Sequence, residues 1–216
     1  MPVQWHPSPN FGPRRDGLKP SLIVLHYTAM SSAGAALDRL CDPKAEVSAH
    51  YLIGHDGTLW QMVKEPMRAW HAGTGEWAGQ GDINSRSIGI ELDNAGDHPF
   101  GAPQMQTLEA LLPGVMCRWG ITAPGVIGHS DMAPGRKCDP GPRFDWARLA
   151  RLGLALAAGG GSDTADPIQF RAHAHRAGFT SAVDDETLLA AVRLRFRPWG
   201  QGPLTGADMA ALPPLD

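Results

Sequence analysis

The sequence contains no apolar run long enough to cross a membrane, because no segment approaches the roughly 20 consecutive apolar residues that a spanning helix needs. Residues 1–17, MPVQWHPSPNFGPRRDG, lack the apolar centre of a signal peptide. These absences predict a cytoplasmic protein without a membrane span. A periplasmic protein from which an export signal had been removed would present the same sequence.

Cysteine is scarce, and the charge is close to balanced. The three cysteines, Cys41, Cys117 and Cys138, form no C-x-x-C spacing, which argues against a disulfide framework and is compatible with a reducing compartment. The net charge of −3 excludes the basic surface that a nucleic-acid partner requires. The chain has only two tyrosines but seven tryptophans. The tryptophans either line a carbohydrate-type cleft or fill the core.

Glycine and proline, with 26 and 19 residues, are abundant and indicate a loop-rich fold rather than a helical bundle. They concentrate in Gly128–Trp146, GHSDMAPGRKCDPGPRFDW, which follows a short apolar strand at 126–127. This composition disfavours a regular helix or a central strand, so the pattern predicts a long loop. Long ordered loops inside compact domains are usually functional, and this one contains His129, Lys137 and Asp139.

The hydrophobic patterns of residues 1–157 predict an α/β fold, with a mixed central β-sheet flanked by helices. Strands are expected at 21–25, 48–53, 58–63, 87–93 and 126–127, and residues 1–20 form an extended, proline-rich arm. Helices are expected at 33–40, at 103–119 with a kink at Pro113, and at 144–157. Residues 158–166 read as a glycine-rich linker, and three helical segments in 167–216 predict a small C-terminal module.

Two histidines follow apolar strands, and strands that are adjacent would bring both to the same edge of the sheet. His26 ends the strand at 21–25 and His129 follows the strand at 126–127, so Asp139 could complete the three ligands of a catalytic zinc site. Glu91 lies on the non-apolar face of its strand, where it could act as general base, and Lys137 could stabilise an oxyanion.

From spacing alone the alternatives stay open. Cys138 could replace its neighbour Asp139 as a ligand, and a histidine is more often a surface or hydrogen-bonded residue than a metal ligand. Glu91 could be an ordinary exposed strand residue, and Lys137 beside Arg136 could be a solvated pair.

Five segments, in this order, narrow the choice: IVLHYTA, SAHYLI, AWHAG, SIGIELDN and GHSDMAPGRKCDPGPRFDW. Together they resemble the zinc-dependent N-acetylmuramoyl-L-alanine amidases of the amidase-2 class, over about residues 15–157. That class is related to T7-type lysozyme and to peptidoglycan recognition proteins. The resemblance implies a zinc hydrolase that acts on peptidoglycan fragments in cell-wall turnover, cleaving the amide between N-acetylmuramic acid, or its 1,6-anhydro form, and L-Ala.

The resemblance also implies roles for nine positions of this chain. The zinc ligands would be His26, His129 and Asp139, and the catalytic residues Glu91 and Lys137. The substrate contacts would be His50, His71, Tyr27 and Trp70.

Within the class, Tyr27-Thr28-Ala29 and RLRFRPWGQG at Arg193–Gly202 are most similar to the lipoprotein type, which also cleaves non-anhydro substrates. The other close type is a cytoplasmic recycling amidase specific for anhydro-muropeptides. The C-terminal module would then be either peptidoglycan-binding or a helical cap. Two alternative functions remain: a non-catalytic peptidoglycan-recognition module, and an endolysin that acts on intact cell wall. The oligomeric state is left open.

Overall fold

The structure is a computed structural model that describes residues 2–214. The strands in this range are β1 (Val3–Trp5), β2 (Phe11–Gly12), β3 (Leu22–Tyr27), β4 (Tyr51–Ile53), β5 (Leu59–Gln61), β6 (Arg68–Ala69), β7 (Ser87–Leu92) and β8 (Val126–Gly128). The helices are α1 (Ala33–Cys41), α2 (Ile83–Arg86), α3 (Ala102–Trp119), α4 (His129–Met132), α5 (Trp146–Arg151), α6 (Pro167–Arg176), α7 (Asp185–Phe196) and α8 (Gly206–Ala211). In this range, no helix is both long and apolar enough to cross a bilayer.

Six strands form the central sheet in the order β1-β5-β4-β7-β3-β8, and β2 pairs with β6 in a separate two-stranded sheet. Only β4 and β5 are antiparallel within the central sheet; its other neighbours are parallel. Strand β3 is buried on both faces, which explains its continuous apolar run, since parallel strands covered on both sides need no polar alternation. The mixed sheet with flanking helices confirms the expected fold class.

Helices cover both faces of the sheet. One face packs on α3 and α5 through a cluster that includes Ile23, Ile90 and Leu108. On the other face, α1 covers Leu52. Beside it, the three C-terminal helices share a second cluster with the sheet, whose members include Leu22, Val24, Ile127, Phe170, Leu188 and Phe196. The site described below lies on this second face, between the two groups of helices.

Several expected boundaries are wrong, each for a local reason. The helix expected at 144–157 spans only Trp146–Arg151, because the chain turns at Gly153, whose φ is 70°. The loop expected at 128–146 contains one helical turn, α4, whose entry is fixed by a hydrogen bond from the Gly128 N–H to Asp131 Oδ2 (2.8 Å). Pro113 lies on the exposed side of α3, which continues past it to Trp119, and the kink expected there stays a prediction.

The N-terminal segment, expected as an extended arm, makes ordered contacts with the rest of the protein. Its strand β1 adds to the edge of the sheet beside β5. The guanidinium of Arg14 donates hydrogen bonds to the backbone carbonyls of Glu65, Asn84, Ser85 and Ser87, which fastens the arm to the start of β7. The division of the chain at 158–166 stays a prediction; the backbone N–H groups of Gly159 and Gly160 in this segment bond to carbonyls of α8.

Candidate metal centre

The carboxyl ends of three parallel strands bring the predicted ligands together. In the register of β3 and β7, His26 lies directly beside Glu91. On the other side of β3, Leu25 pairs with Gly128, so His129 follows one residue later at the same edge. This is the position where open α/β sheets ordinarily bind their ligands. The long connection after α4 then returns Asp139 to the two histidines.

Three buried ligand atoms converge at this edge. The Nδ1 atoms of His26 and His129 are 2.9 Å apart, and Asp139 Oδ2 lies 2.9 Å from the first and 3.0 Å from the second. Among residues 2–214, these three form the group of histidine, cysteine and acidic side chains that could hold a metal ion. Cys138 is outside it: its exposed Sγ lies 3.0 Å from the hydroxyl of Tyr27, so the structure places the thiol away from the position proposed for it.

Hydrogen bonds on the far side of each ring determine which nitrogen carries the proton. His129 Nε2 donates to the carbonyl of Ala72 at 2.9 Å, which leaves Nδ1 of the neutral ring without a proton. The Ser87 hydroxyl donates to the carbonyl of Ile83, so Ser87 Oγ accepts from Nε2 of His71 (3.1 Å). His71 Nδ1 must then accept from His26 Nε2 (3.0 Å). His26 Nδ1 is therefore also a bare lone pair.

Electrostatics favour the neutral form of His26. Burial, with a smaller contribution from the nearby His129, lowers the pKa of His26 to about 4. With neutral rings of this tautomer, two nitrogen lone pairs and a carboxylate oxygen face each other at about 3 Å without a proton between them. Such a set is repulsive by itself and is satisfied by a cation. Two imidazole nitrogens and one carboxylate, with access from a cleft, fit the ligand set of catalytic zinc.

Glu91 supplies a carboxyl group beside this set. Its Oε2 is buried and has no hydrogen-bond partner among the described residues. Burial raises the pKa of Glu91 well above its ordinary value, the negative charge of Asp139 raises it further, and Lys137 lowers it. A carboxyl group at this position can accept a proton and return it during a reaction.

A cleft of about 490 Å³ opens over these residues. Four predicted residues line it together with the ligands and Glu91: Tyr27, Trp70, His71 and Lys137. His50 does not reach it. That side chain is fully buried behind His71, where its Nδ1 accepts from the Gly89 N–H and its Nε2 donates to the carbonyl of Met67, both at 3.0 Å.

Sequence reasoning missed several residues that support the ligands. Ser87 orients His71, and Arg136 donates to the same Ala72 carbonyl that accepts from His129 (2.7 Å). Gly89 leaves room for the ring of His71, since a Cβ at this position would lie 2.5 Å from it. Gly89, on the same strand face as Glu91, was the one sequence signal for these supporting residues. The contacts of Ser87 and Arg136 depend on pairings between distant segments.

The chain is similar to known proteins of one family. Residues 16–142 match the family described as N-acetylmuramoyl-L-alanine amidase, Amidase_2. The 1,6-anhydro-N-acetylmuramyl-L-alanine amidase AmpD of Citrobacter freundii is 38% identical over 163 residues, which cover 68% of this chain and 87% of AmpD. N-acetylmuramoyl-L-alanine amidase AmiD of Escherichia coli K12 is 39% identical over 149 residues, covering 62% of this chain and 53% of AmiD.

Two solved structures extend the similarity to the C-terminal helices. One is AmiD from E. coli in complex with the substrate anhydro-N-acetylmuramic acid-L-Ala-D-gamma-Glu-L-Lys, with a TM-score of 0.78 and 30% identity over 91% of this chain and 89% of that one. The other is AMPDH3 from Pseudomonas aeruginosa, with a TM-score of 0.81 and 28% identity over 95% and 92% of the two chains. Their folds therefore correspond to almost the whole described chain.

Proposed function

The chain belongs to the N-acetylmuramoyl-L-alanine amidase family and is an amide hydrolase, and on this premise we propose that His26, His129 and Asp139 hold a catalytic zinc ion. The observation that carries the proposal is the convergence of three buried acceptor atoms beside an unpartnered carboxyl group. When bound there, zinc would lower the pKa of a coordinated water and polarise the scissile carbonyl.

Each remaining catalytic task falls to a residue of the cleft. Glu91 accepts the proton of the attacking water and returns it to the nitrogen of the leaving amine, for which its raised pKa suits it. Lys137 lines the cleft and neutralises the negative charge that develops on the carbonyl oxygen. His71 and Ser87 hold His26 in the tautomer that presents Nδ1 to the centre.

The bond cleaved would be the amide between 1,6-anhydro-N-acetylmuramic acid and L-Ala of peptidoglycan fragments. AmpD is named for that sugar, and the AmiD structure contains an anhydro-muropeptide. The open cleft offers Trp70 and Tyr27 as aromatic surfaces for the fragment. Cleavage of the non-anhydro form is the alternative that the same cleft permits.

Mass spectrometry of purified muropeptides tests the reaction directly. Zinc-loaded protein is incubated with anhydro- and non-anhydro-muropeptides, in parallel with Glu91→Gln and with Glu186→Gln, which changes an exposed glutamate on α7. We expect free stem peptide from the anhydro form, a loss of at least about 100-fold with Glu91→Gln, and no change with Glu186→Gln. Cleavage of neither fragment by protein shown to contain zinc would leave a recognition module as the better account.

Intact cell walls provide the other comparison. Release of peptide from sacculi in preference to small fragments would support an endolysin instead of a recycling enzyme.

The expected cytoplasmic location, with the periplasm as its alternative, stays a prediction. Fractionation of cells that produce the full chain would check it.

A further inference from the structure

Helix α7 directs two arginines inward, and they bind different parts of the molecule. Arg193 stays among the C-terminal helices, where it donates to both carboxylate oxygens of Asp208 (2.8 and 2.7 Å). Arg195, two residues further along the helix, points away from this group and reaches the segment that contains His129. The two residues belong to the RLRFRPWGQG stretch that resembles a peptidoglycan-binding module, yet both are committed to internal contacts.

Arg195 binds the catalytic half of the chain at two points. Its Nη1 donates to Asp131 Oδ2 at 2.8 Å and its Nη2 to the carbonyl of Val126 at 3.0 Å. The guanidinium lies 3.6 Å above the ring of Trp146. The Arg195 and Asp131 side chains are only 2% and 1% exposed, so this ion pair is shielded from solvent.

The two contacts of Arg195 lie on either side of His129, a proposed metal ligand, in the sequence. Val126 begins β8 and Asp131 lies in α4, so Arg195 joins the two ends of the segment that presents His129. The same Asp131 oxygen accepts from the N–H of Gly128, the residue immediately before His129. In addition, the Ser130 N–H bonds to the carbonyl of Asp139 at 2.9 Å, which ties this segment to a second ligand.

We propose that Arg195 is a positioning residue of the metal centre, which holds the β8–α4 segment so that His129 Nδ1 stays directed at the other two ligands. This inference rests on the proposed function, because it assigns Arg195 to the proposed zinc site. The position of His129 that it predicts does not itself require a bound metal. It gives the C-terminal helices a part in catalysis through an internal contact rather than through binding of cell wall.

The chain offers a matched control on the same helix. Arg195→Met and Arg193→Met each remove a buried arginine from α7, but Asp131 then loses its arginine whereas Asp208 keeps Arg197 at 2.8 Å. Arg195→Met should therefore lower the melting temperature by about 10 °C, and Arg193→Met should lower it by less. Only the first variant should disturb the metal centre, because Arg193 makes no hydrogen bond to β8 or α4.

Hydrogen–deuterium exchange of the metal-free protein is the first readout. We expect Arg195→Met to increase the exchange of residues 126–133 at least tenfold, whereas Arg193→Met should affect residues 202–212. Zinc affinity, measured by competition with a chromogenic chelator, should fall about 10- to 100-fold in Arg195→Met and remain unchanged in Arg193→Met. The kcat for muropeptide cleavage should fall with KM nearly constant, and Arg195→Lys should restore part of both losses.

The double variant Arg195→Met/Asp131→Asn separates positioning from the cost of an unpaired buried charge. The amide oxygen of Asn can still accept from Gly128, so we expect the melting temperature to recover while exchange and zinc affinity stay impaired. Full recovery of zinc affinity in the double variant, or equal exchange in the two single variants, would overturn the inference. Absence of zinc binding in the unmodified protein would instead refute the proposed function, because the exchange result is obtained without metal.

Discussion

Gly89 shows how much a site can depend on a residue that makes no side-chain contact. It lies two positions before Glu91 on β7, and the ring of His71 occupies the space where its side chain would be. His71 in turn accepts from His26 Nε2 and thereby determines which nitrogen of His26 faces the centre. The absence of a Cβ at residue 89 therefore affects the orientation of His26 through two contacts, the packing of His71 against Gly89 and the hydrogen bond between His71 and His26.

Gly89→Ala should displace His71 and weaken zinc binding by about 10- to 100-fold, which is the usual effect of losing a partner behind a metal ligand. Titration against a competing chelator measures this loss. Gly34→Ala is the control, because a Cβ at that position of α1 meets only the Ser32 Oγ at 3.8 Å. Equal zinc affinity in Gly89→Ala and the unmodified protein would contradict the role assigned to His71.

At the scale of secondary-structure elements, α3 contains two glycines in opposite situations. Gly114 lies inside the helix, where a Cβ would meet only the flexible end of Arg118 at 3.1 Å. Gly120 ends the helix with φ of 66°, a left-handed conformation, and nothing lies within 4 Å of a Cβ there. The two positions therefore separate helix propensity from backbone strain within one element.

Gly114→Ala should raise the free energy of unfolding by about 1 kcal/mol, since alanine loses less conformational freedom in a helix than glycine. Gly120→Ala should lower it by about 1 kcal/mol, because an L-residue is strained in the left-handed region. Urea unfolding of the two variants and the unmodified protein measures both changes. A decrease for Gly114→Ala would show that Arg118, which also binds Glu65, cannot move aside.

The elements also show how far sequence reasoning reaches. The continuous apolar run of β3 and the alternation of β7 predicted both strands, and the ends of β3 and β8 predicted His26 and His129 at one edge. The helix at 144–157 was predicted too long because one glycine at 153 ends it, and an apolar pattern does not show backbone angles.

Partners that meet across long stretches of sequence were not predictable. His50 and His71 were both predicted as substrate contacts, yet one is enclosed and the other lines the cleft, because the packing of the sheet determines which of them is accessible. The contact between Arg195 and Asp131 joins residues 64 positions apart and has no periodic signal. The proposed zinc ligands were narrowed to His26, His129 and Asp139 only through the resemblance to a family, since spacing alone permitted other choices.

At the scale of the whole molecule, buried imidazoles link folding to pH. Burial lowers the pKa of His26 to about 4 and that of His50 to about 3, and it lowers the pKa of His71 well below its ordinary value. The unfolded chain binds protons at these sites near pH 6.5, before the folded protein does. The contribution of each histidine to stability is therefore complete above pH 6.5 and is lost as the pH falls towards the folded value. Glu91, whose pKa is raised, acts in the opposite direction.

The metal-free protein should accordingly lose stability steadily between pH 6.5 and about pH 4, and His50 alone should account for a few kcal/mol of the loss by pH 3. Urea unfolding in the presence of a chelator, at intervals of half a pH unit, measures the slope. His50→Asn should reduce the slope, whereas His55→Asn, at an exposed position, should leave it unchanged. Identical slopes for the two variants would mean that the pKa of His50 is not lowered in the folded protein.

The pair between Asp131 and Arg195 also has a consequence for the order of events during synthesis. The ribosome makes Asp131 first, and at about 5–20 residues per second the 64 residues up to Arg195 take roughly 3–13 s more. From the synthesis of Asp139 to the end of this interval, His26, His129 and Asp139 have all been made, while Arg195, whose guanidinium joins the two ends of the His129 segment, has not. A nascent chain of this protein therefore carries the three proposed ligands before Arg195 is available to hold His129 in place, and on this proposal the C-terminal helices complete the assembly of the site.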